Sequence, residues 1–140
     1  MNNFFKISEA ASLALHTMAL LASDEEKVIS AKESAATFNV SEAHLAKVLQ
    51  RLSHAGYVDS ARGPKGGFYL AKSPEDITLI EIYELMEGKI EAKNCLLDRP
   101  ICRNGECIFG DRLVRMRDEI REHLSRTSLS EVKNLFGSKK

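Results

Sequence analysis

Three cysteines in the C-terminal half of the sequence are the residues best suited to bind a metal or to act as redox-active groups. Cys95, Cys102 and Cys107 are separated by six and then by four residues. Thiolates bind zinc or iron–sulfur clusters, and free thiols can also act as redox switches. The residues alone leave three possibilities open: a zinc site, an iron–sulfur cluster, and thiols that carry no ligand or switch through a disulfide.

These three thiols do not complete a metal site, because zinc and iron–sulfur clusters normally take four protein ligands. A fourth ligand has to come from a histidine, a carboxylate or a partner chain. The segment 89–110 that holds the cysteines also contains Pro100 and Gly105, with too few bulky apolar residues to fold around a core of its own. We therefore expect this loop to gain its order from what it binds.

A second group of candidate residues lies on a helix predicted to begin at Ser41. Its apolar residues recur at intervals of three and four positions and form one stripe: Leu45, Val48, Leu49 and Leu52. The opposite face carries side chains that can contact phosphates or base edges: Ser41, His44, Lys47 and Arg51. Taken alone, such a face is more often simply solvated.

The residues that follow this helix predict a β-hairpin. Segments 57–60 and 68–71 have the pattern of strands, and the turn between them holds four candidate DNA contacts: Arg62, Gly63, Lys65 and Gly66. Its glycines lie between two strands, not between a strand and a helix, which argues against a nucleotide-binding loop. A capped short helix, a turn, a helix with a basic face and a glycine-rich hairpin is the order of a winged helix-turn-helix. That motif binds double-stranded DNA.

Capping signals predict where the other helices begin. Asn39 supplies the tight turn before Ser41. Ser8 is the start signal of a helix predicted over 7–22. Three further helices begin with a capping box: the helix over 30–38 with Ser30 and Glu33, a helix to about residue 87 with Thr78 and Glu81, and a last short helix with Ser128 and Glu131.

A long amphipathic helix is predicted over residues 111–126. Its apolar residues form the narrow seam expected where two helices pair: Leu113, Met116, Ile120 and Leu124. The expected fold is therefore mainly α with a small β-hairpin wing, a winged helix-turn-helix plus a long C-terminal dimerisation helix. We expect three parts: a DNA-binding domain (1–88), a cysteine loop whose ligand the residues alone leave open (89–110), and a dimerisation helix with a C-terminal tail (111–140).

Composition narrows the class of protein. With 140 residues, 44% hydrophobic content and a formal net charge of zero, the chain fits one compact domain that is not generally basic. The sequence shows no apolar run of transmembrane length and no secretory signal, so we expect a cytoplasmic protein that does not enter a membrane. No Ser-His-Asp, paired-carboxylate or phosphate-loop pattern rises above chance, so we do not expect an enzyme.

Three segments resemble the Rrf2 family of winged helix-turn-helix transcription regulators, in particular its IscR-, NsrR- and RirA-like members. They are ISEAASLALH at 7–16, SHAGYV at 53–58 and, most specifically, RGPKGGFYL at 62–70. The resemblance extends over nearly the whole chain. It implies a homodimer, joined through the long helix near the C-terminus, that binds a roughly palindromic DNA operator with two winged helices.

The same resemblance implies an iron–sulfur cluster, because cluster-binding members carry three cysteines in this loop. We expect a 2Fe-2S cluster in preference to a 4Fe-4S cluster. The middle cysteine lies one place later than in the commonest family arrangement, and Gly110 stands where the biogenesis-type regulators have a histidine ligand.

In other branches of the family the fourth ligand comes from the first helix of the partner subunit. By that resemblance Ser12 occupies the carboxylate place and His16 the histidine place, and His16 is our first choice. The alternative for His16 is a partly buried histidine satisfied by a neighbour. The carboxylate alternatives for the ligand are Glu9, Asp98, Glu106 and Asp111.

The resemblance thus implies a transcription regulator that senses redox state, nitric oxide or iron–sulfur status through its cluster. The alternative is a cluster-free regulator, based on thiols or zinc and controlled by a partner protein, as in CymR-like relatives. Visible absorbance from a cluster separates the two.

Overall fold

The computed structural model describes residues 6–90, 95–97, 99, 101–102 and 106–136. It confirms the predicted fold class, since helices dominate and one antiparallel hairpin follows the third helix. The elements are α1 (Glu9–Ser23), α2 (Ala31–Phe38), α3 (Glu42–His54), β1 (Val58–Ala61), β2 (Gly67–Leu70), α4 (Leu79–Glu87), α5 (Arg112–Arg126) and α6 (Leu129–Val132), with 3-10 turns at Pro74–Asp76 and Lys133–Leu135. Among these described residues no helix is long and apolar enough to cross a membrane.

Serine side chains begin three of the helices at the predicted positions. The Oγ atoms of Ser8, Ser30 and Ser41 accept hydrogen bonds from backbone N–H groups three residues on, at 3.0, 3.0 and 3.1 Å. Asn39 adopts the left-handed conformation (φ 53°) that turns the chain from α2 into α3. These local signals fix the helix-turn-helix.

The three predicted capping boxes differ in outcome. At Ser128 and at Thr78 the box is complete, with Glu131 and Glu81 accepting from the N-cap backbone at 2.7 Å in each case. Partial burial acts to raise the pKa of Glu81, but hydrogen bonds from Thr78 and Tyr57 outweigh it and the pKa is lowered. At Ser30 only half of the box forms, because the Glu33 carboxylate contacts Lys27 Nζ at 3.0 Å instead.

Helix α1 is buried on more than one side, as its dense apolar sequence predicts. It packs against α3, α4, β2 and the C-terminal turns, and its Ala11, Ala14, Met18 and Leu21 are almost fully buried. One polar atom lies in this apolar environment. The Oγ1 of Thr17 is buried and has no hydrogen-bond partner in the part of the chain that the structure describes.

Replacing Thr17 by valine is therefore expected to stabilise the protein. Valine keeps the branched shape and removes a buried hydroxyl whose desolvation is not compensated, so the free energy of unfolding should rise by about 1 kcal/mol. Urea denaturation measures the change. Thr37→Val is the matched control, since Thr37 is exposed and its Oγ1 donates to the Glu33 carbonyl at 3.0 Å. A Thr17→Val protein no more stable than wild type would contradict the assignment.

The wing is anchored to the rest of the domain along the edge of β2 that does not pair with β1. Its strands pair from Val58 with Leu70 to Ala61 with Gly67, one position away from the predicted strands at 57–60 and 68–71. On its other edge, Phe68 exchanges two backbone hydrogen bonds with Ile29, at 2.8 and 3.0 Å. Because Ile29 directly precedes the cap of α2, the wing and the helix-turn-helix are joined by backbone.

This close approach requires glycine at position 67. A Cβ atom there would lie 2.4 Å from the carbonyl oxygen of Ile29 and 2.7 Å from the nitrogen of Ser30. We expect Gly67→Ala to lower the free energy of unfolding by about 2 kcal/mol or more, because the backbones must separate. Thermal denaturation measures this, with Ser60→Ala on the exposed face of β1 as a control. Equal stability of Gly67→Ala and wild type would contradict the close approach.

Only part of the apolar seam of α5 packs against the rest of the same chain. Leu124 is buried in the core and Ile120 packs against it, with α4 as the neighbouring helix. Met116, nearer the start of α5, is 48% exposed. The seam therefore serves the core at its C-terminal end and is open at its N-terminal end.

Candidate nucleic-acid interface and cysteine loop

The polar face of α3 carries the predicted DNA contacts, which differ in their exposure and in their contacts within the protein. Lys47 is exposed. The Ser41 hydroxyl accepts a hydrogen bond from His44 N and so caps the start of the helix. His44 Nδ1 lies 3.6 Å from the Glu9 carboxylate of α1. The start of the helix is thus in contact with α1.

Arg51, near the end of the same helix, has a partner that sequence reasoning missed. Its Nη2 donates to the carbonyl oxygen of Leu85 at 2.8 Å. That carbonyl belongs to the last turn of α4, where carbonyls lack helical partners and a cation is favourable. Arg51 therefore ties α3 to α4, a contact between residues 34 positions apart that no local pattern announces.

The wing tip presents both predicted basic side chains to solvent. Arg62 and Lys65 are exposed, and the two glycines between and beside them shape the turn. Gly63 has φ +108°, and a Cβ at Gly66 would lie 2.3 Å from the carbonyl oxygen of Ala61. The Gly66 N–H closes the turn by donating to the Gly63 carbonyl at 2.9 Å. The glycines thus hold the loop in the shape that projects the basic residues.

The three cysteines are free thiols near the protein surface. Cys95 and Cys107 are partly buried and Cys102 is exposed. The Leu97 N–H donates to Cys95 Sγ at 3.4 Å, and the Gly110 N–H donates to the Cys107 carbonyl at 2.9 Å just before α5. Within the described residues, no three His, Cys, Asp or Glu side chains are arranged to hold a metal ion.

His16 is exposed on α1, and its ring has contacts with a backbone carbonyl and with two phenylalanine rings. Nδ1 lies 2.6 Å from the backbone carbonyl oxygen of Ser12. A carbonyl oxygen only accepts, so in the neutral imidazole Nδ1 carries the proton and Nε2 keeps its lone pair. The ring also makes edge-to-face contacts with Phe38 and Phe136, with centroid separations of 6.2 and 6.3 Å. A metal-binding histidine commonly shows this arrangement, in which the other nitrogen donates to a carbonyl.

The other candidates for a fourth ligand differ in their contacts. Ser12 Oγ lies 3.4 Å from the His16 ring, Glu9 faces His44, and Asp111 pairs with Arg115 at 2.9 Å. Glu106 is exposed, and Asp98 lies outside the described residues. Among these candidates, His16 is the one with a ring nitrogen, Nε2, that keeps its lone pair while Nδ1 contacts a backbone carbonyl.

Comparison with known proteins places these features in one family. The model of the Rrf2 family, described as an iron-dependent transcriptional regulator, matches residues 7–134. The chain is 33% identical to the HTH-type transcriptional regulator CymR of Bacillus subtilis over 91% of its length and 88% of that protein. It is 31% identical to the regulator NsrR of Geobacillus kaustophilus, covering 85% of this chain and 78% of that one.

The solved structures include the same relative. The structure of CymR, the global cysteine regulator of B. subtilis, superposes with a TM-score of 0.75 at 31% identity, covering 94% of this chain and 98% of that one.

Proposed function

Because the chain belongs to the Rrf2 family of transcription regulators, we propose that it is a homodimeric, operator-binding sensor of redox state, nitric oxide or iron–sulfur status. Its sensor is an iron–sulfur cluster held by Cys95, Cys102 and Cys107 of one protomer and the partner subunit's His16. The observation that carries this proposal is the exposed His16 imidazole, whose Nδ1 is bound to a carbonyl while Nε2 keeps its lone pair.

In this proposal residues 1–88 bind DNA through α3 and the wing. Lys47 and His44, with the capped N-terminus at Ser41, face the major groove, and Arg62 and Lys65 reach the adjacent backbone or minor groove. Gly63 and Gly66 keep the wing turn narrow. Because Arg51 already donates to a carbonyl of α4, we expect it to lie at the edge of this surface and to contact a phosphate, not a base.

A second copy of the chain is the proposed occupant of the exposed apolar surface beside the cysteine loop. Ile108 and Ile101 are 90% and 73% exposed, and Phe109 and Met116 are about half exposed. Large apolar side chains exposed close together in the sequence indicate an interaction surface, and Met116 continues the seam of α5. Residues 111–140 then form the dimerisation helix and tail.

The donor set fits an iron–sulfur cluster in its chemistry. Three soft thiolates and one imidazole are ligands that such clusters accept, and residues 89–110 contain few apolar side chains that would order the loop without a ligand. A bound cluster would supply a centre whose charge and ligation change on oxidation or nitrosylation. We favour the 2Fe-2S form over 4Fe-4S.

The contacts of α1 connect this site to the DNA-binding surface. His16 and Glu9 lie on the same helix, and Glu9 contacts His44 at the start of α3. His16 also touches Phe38, the residue before the turn into α3. A shift of His16 on gaining or losing its ligation is therefore transmitted to the recognition helix through two contacts.

The second candidate function is a cluster-free regulator based on thiols or zinc and controlled by a partner protein. It is favoured by the 31% identity and 0.75 TM-score to CymR. Against it stands the resemblance described above, in which family members without a cluster generally lack the three cysteines that this chain has.

An anaerobic absorption spectrum of freshly purified protein tests the proposal, with iron, sulfide and zinc assayed on the same sample. We expect broad absorbance between about 320 and 460 nm with stoichiometric iron and sulfide. A colourless protein that also fails cluster reconstitution would overturn the cluster. Stoichiometric zinc in that sample would then support the zinc-based alternative.

A further inference from the structure

Three aromatic rings from distant parts of the sequence meet around the proposed ligand. His16 of α1, Phe38 at the end of α2 and Phe136 beyond the last turn form a mutual edge-to-face triplet. The two phenylalanine rings lie 5.6 Å apart at an interplanar angle of 84°. The imidazole meets them at 68° and 70°. Edge-to-face contact orients rings as well as burying them.

Phe136 reaches this position because the C-terminal segment is anchored elsewhere. Leu129 is fully buried and its N–H donates to the Ile77 carbonyl at 2.9 Å, while the Leu79 N–H donates to the Thr127 carbonyl at 2.9 Å. The turn Lys133–Leu135 then packs along α1. The position of Phe136 over His16 is thus set by the hydrogen bonds to residues 77–79, together with the packing of the last turn along α1.

We propose that Phe136 is a positioning residue for His16. Together with Phe38 and the Ser12 carbonyl, it holds the imidazole in the one orientation that keeps Nε2 free for a metal. An imidazole on an exposed helix face otherwise samples several side-chain rotamers and loses entropy on binding. This inference rests on the proposed role of His16, and it makes the C-terminal segment a determinant of the fourth ligation.

The first readout uses cluster-free protein, so that it is independent of any bound group. Nitrogen-15 NMR of the His16 ring, at a pH where it is neutral, reports which nitrogen carries the proton. We expect wild type to show one tautomer, protonated at Nδ1. Phe136→Leu, which keeps apolar volume but not the ring, should show a mixture of tautomers. Phe136→Tyr should restore the single form, and Asn134→Ala, an exposed change in the same segment, should match wild type.

The second readout is the lifetime of the cluster in air, followed by its visible absorbance. We expect Phe136→Leu to lose the cluster several-fold faster than wild type, and Phe136→Tyr to lose it at the wild-type rate. A wild-type tautomer or a wild-type lifetime in Phe136→Leu would overturn the inference.

The ligand role of His16 fails independently of this inference. If His16 is not a ligand, His16→Ala leaves the cluster spectrum unchanged, and the NMR of the cluster-free protein still decides whether Phe136 orients the ring.

Discussion

Replacing any one of Cys95, Cys102 and Cys107 by serine is expected to remove the stable iron–sulfur cluster. A serine hydroxyl is a hard, protonated donor at neutral pH and does not replace a thiolate. We expect iron and sulfide content to fall to roughly a tenth of wild type or less, with loss of the absorbance between about 320 and 460 nm. Anaerobic purification followed by metal and sulfide assays measures the change.

The fold of these serine variants should survive, because the three thiols are exposed or only partly buried and belong to no part of the core that the structure describes. Circular dichroism of the cluster-free proteins should therefore match wild type. Arg99→Ser is the matched control. It introduces the same hydroxyl into the same loop at an exposed side chain to which no role in the cluster or the dimer is assigned, and it should keep the cluster.

The pattern of losses separates the alternatives for the cysteines. If each cysteine-to-serine variant loses iron and sulfide while Arg99→Ser keeps them, the cysteines are cluster ligands. Loss of zinc instead would identify a zinc site. A variant that retains full iron and sulfide would exclude that cysteine from the ligand set.

Local signals in the sequence were enough to predict the helix-turn-helix. Ser30 and Ser41 cap the expected helices, and Asn39 takes the left-handed conformation between them. Each of these features depends on hydrogen bonds between residues at most three or four positions apart, so a short stretch of sequence is enough to predict it. The hairpin followed for the same reason, with strands shifted by one residue from their predicted positions.

The contacts that join these elements could not be predicted in this way. Arg51 bonds to Leu85, Ile29 pairs with Phe68, and Phe136 packs on His16. In each case the partners are far apart in sequence, and their meeting depends on how whole helices pack. Arg51 shows the consequence, since its charge and position on α3 predicted a DNA contact and the structure gives its guanidinium a partner within the protein.

The geometry of the cysteine loop could not be predicted from the sequence for a different reason. Its spacing indicates ligands, but the described residues do not assemble a complete metal site. Such a loop acquires its geometry together with what it binds, because ligand binding supplies the free energy that orders it. In the proposed function the geometry of the site is therefore set by the cluster and the partner protomer, which no local sequence pattern encodes.

Replacing Arg62 by alanine should weaken operator binding by about tenfold or more, since an arginine that contacts DNA contributes about 1–3 kcal/mol. Arg62 is exposed at the wing tip, and a dimer presents it twice. If it neutralises phosphates, the slope of log K against log salt concentration should also fall by about 0.9 for each phosphate that the variant leaves unneutralised. Fluorescence anisotropy measures both quantities, using a duplex selected from a random library with the wild-type protein.

Arg126→Ala provides the matched control, because it removes the same charge from the end of α5, where Arg126 pairs with Glu122. If general electrostatic attraction governed binding, the two variants would lose affinity equally, since long-range charge effects depend little on position. A loss confined to Arg62→Ala, with cluster content and dimerisation unchanged, assigns the wing to the DNA interface. Wild-type affinity in Arg62→Ala would leave recognition to α3 alone.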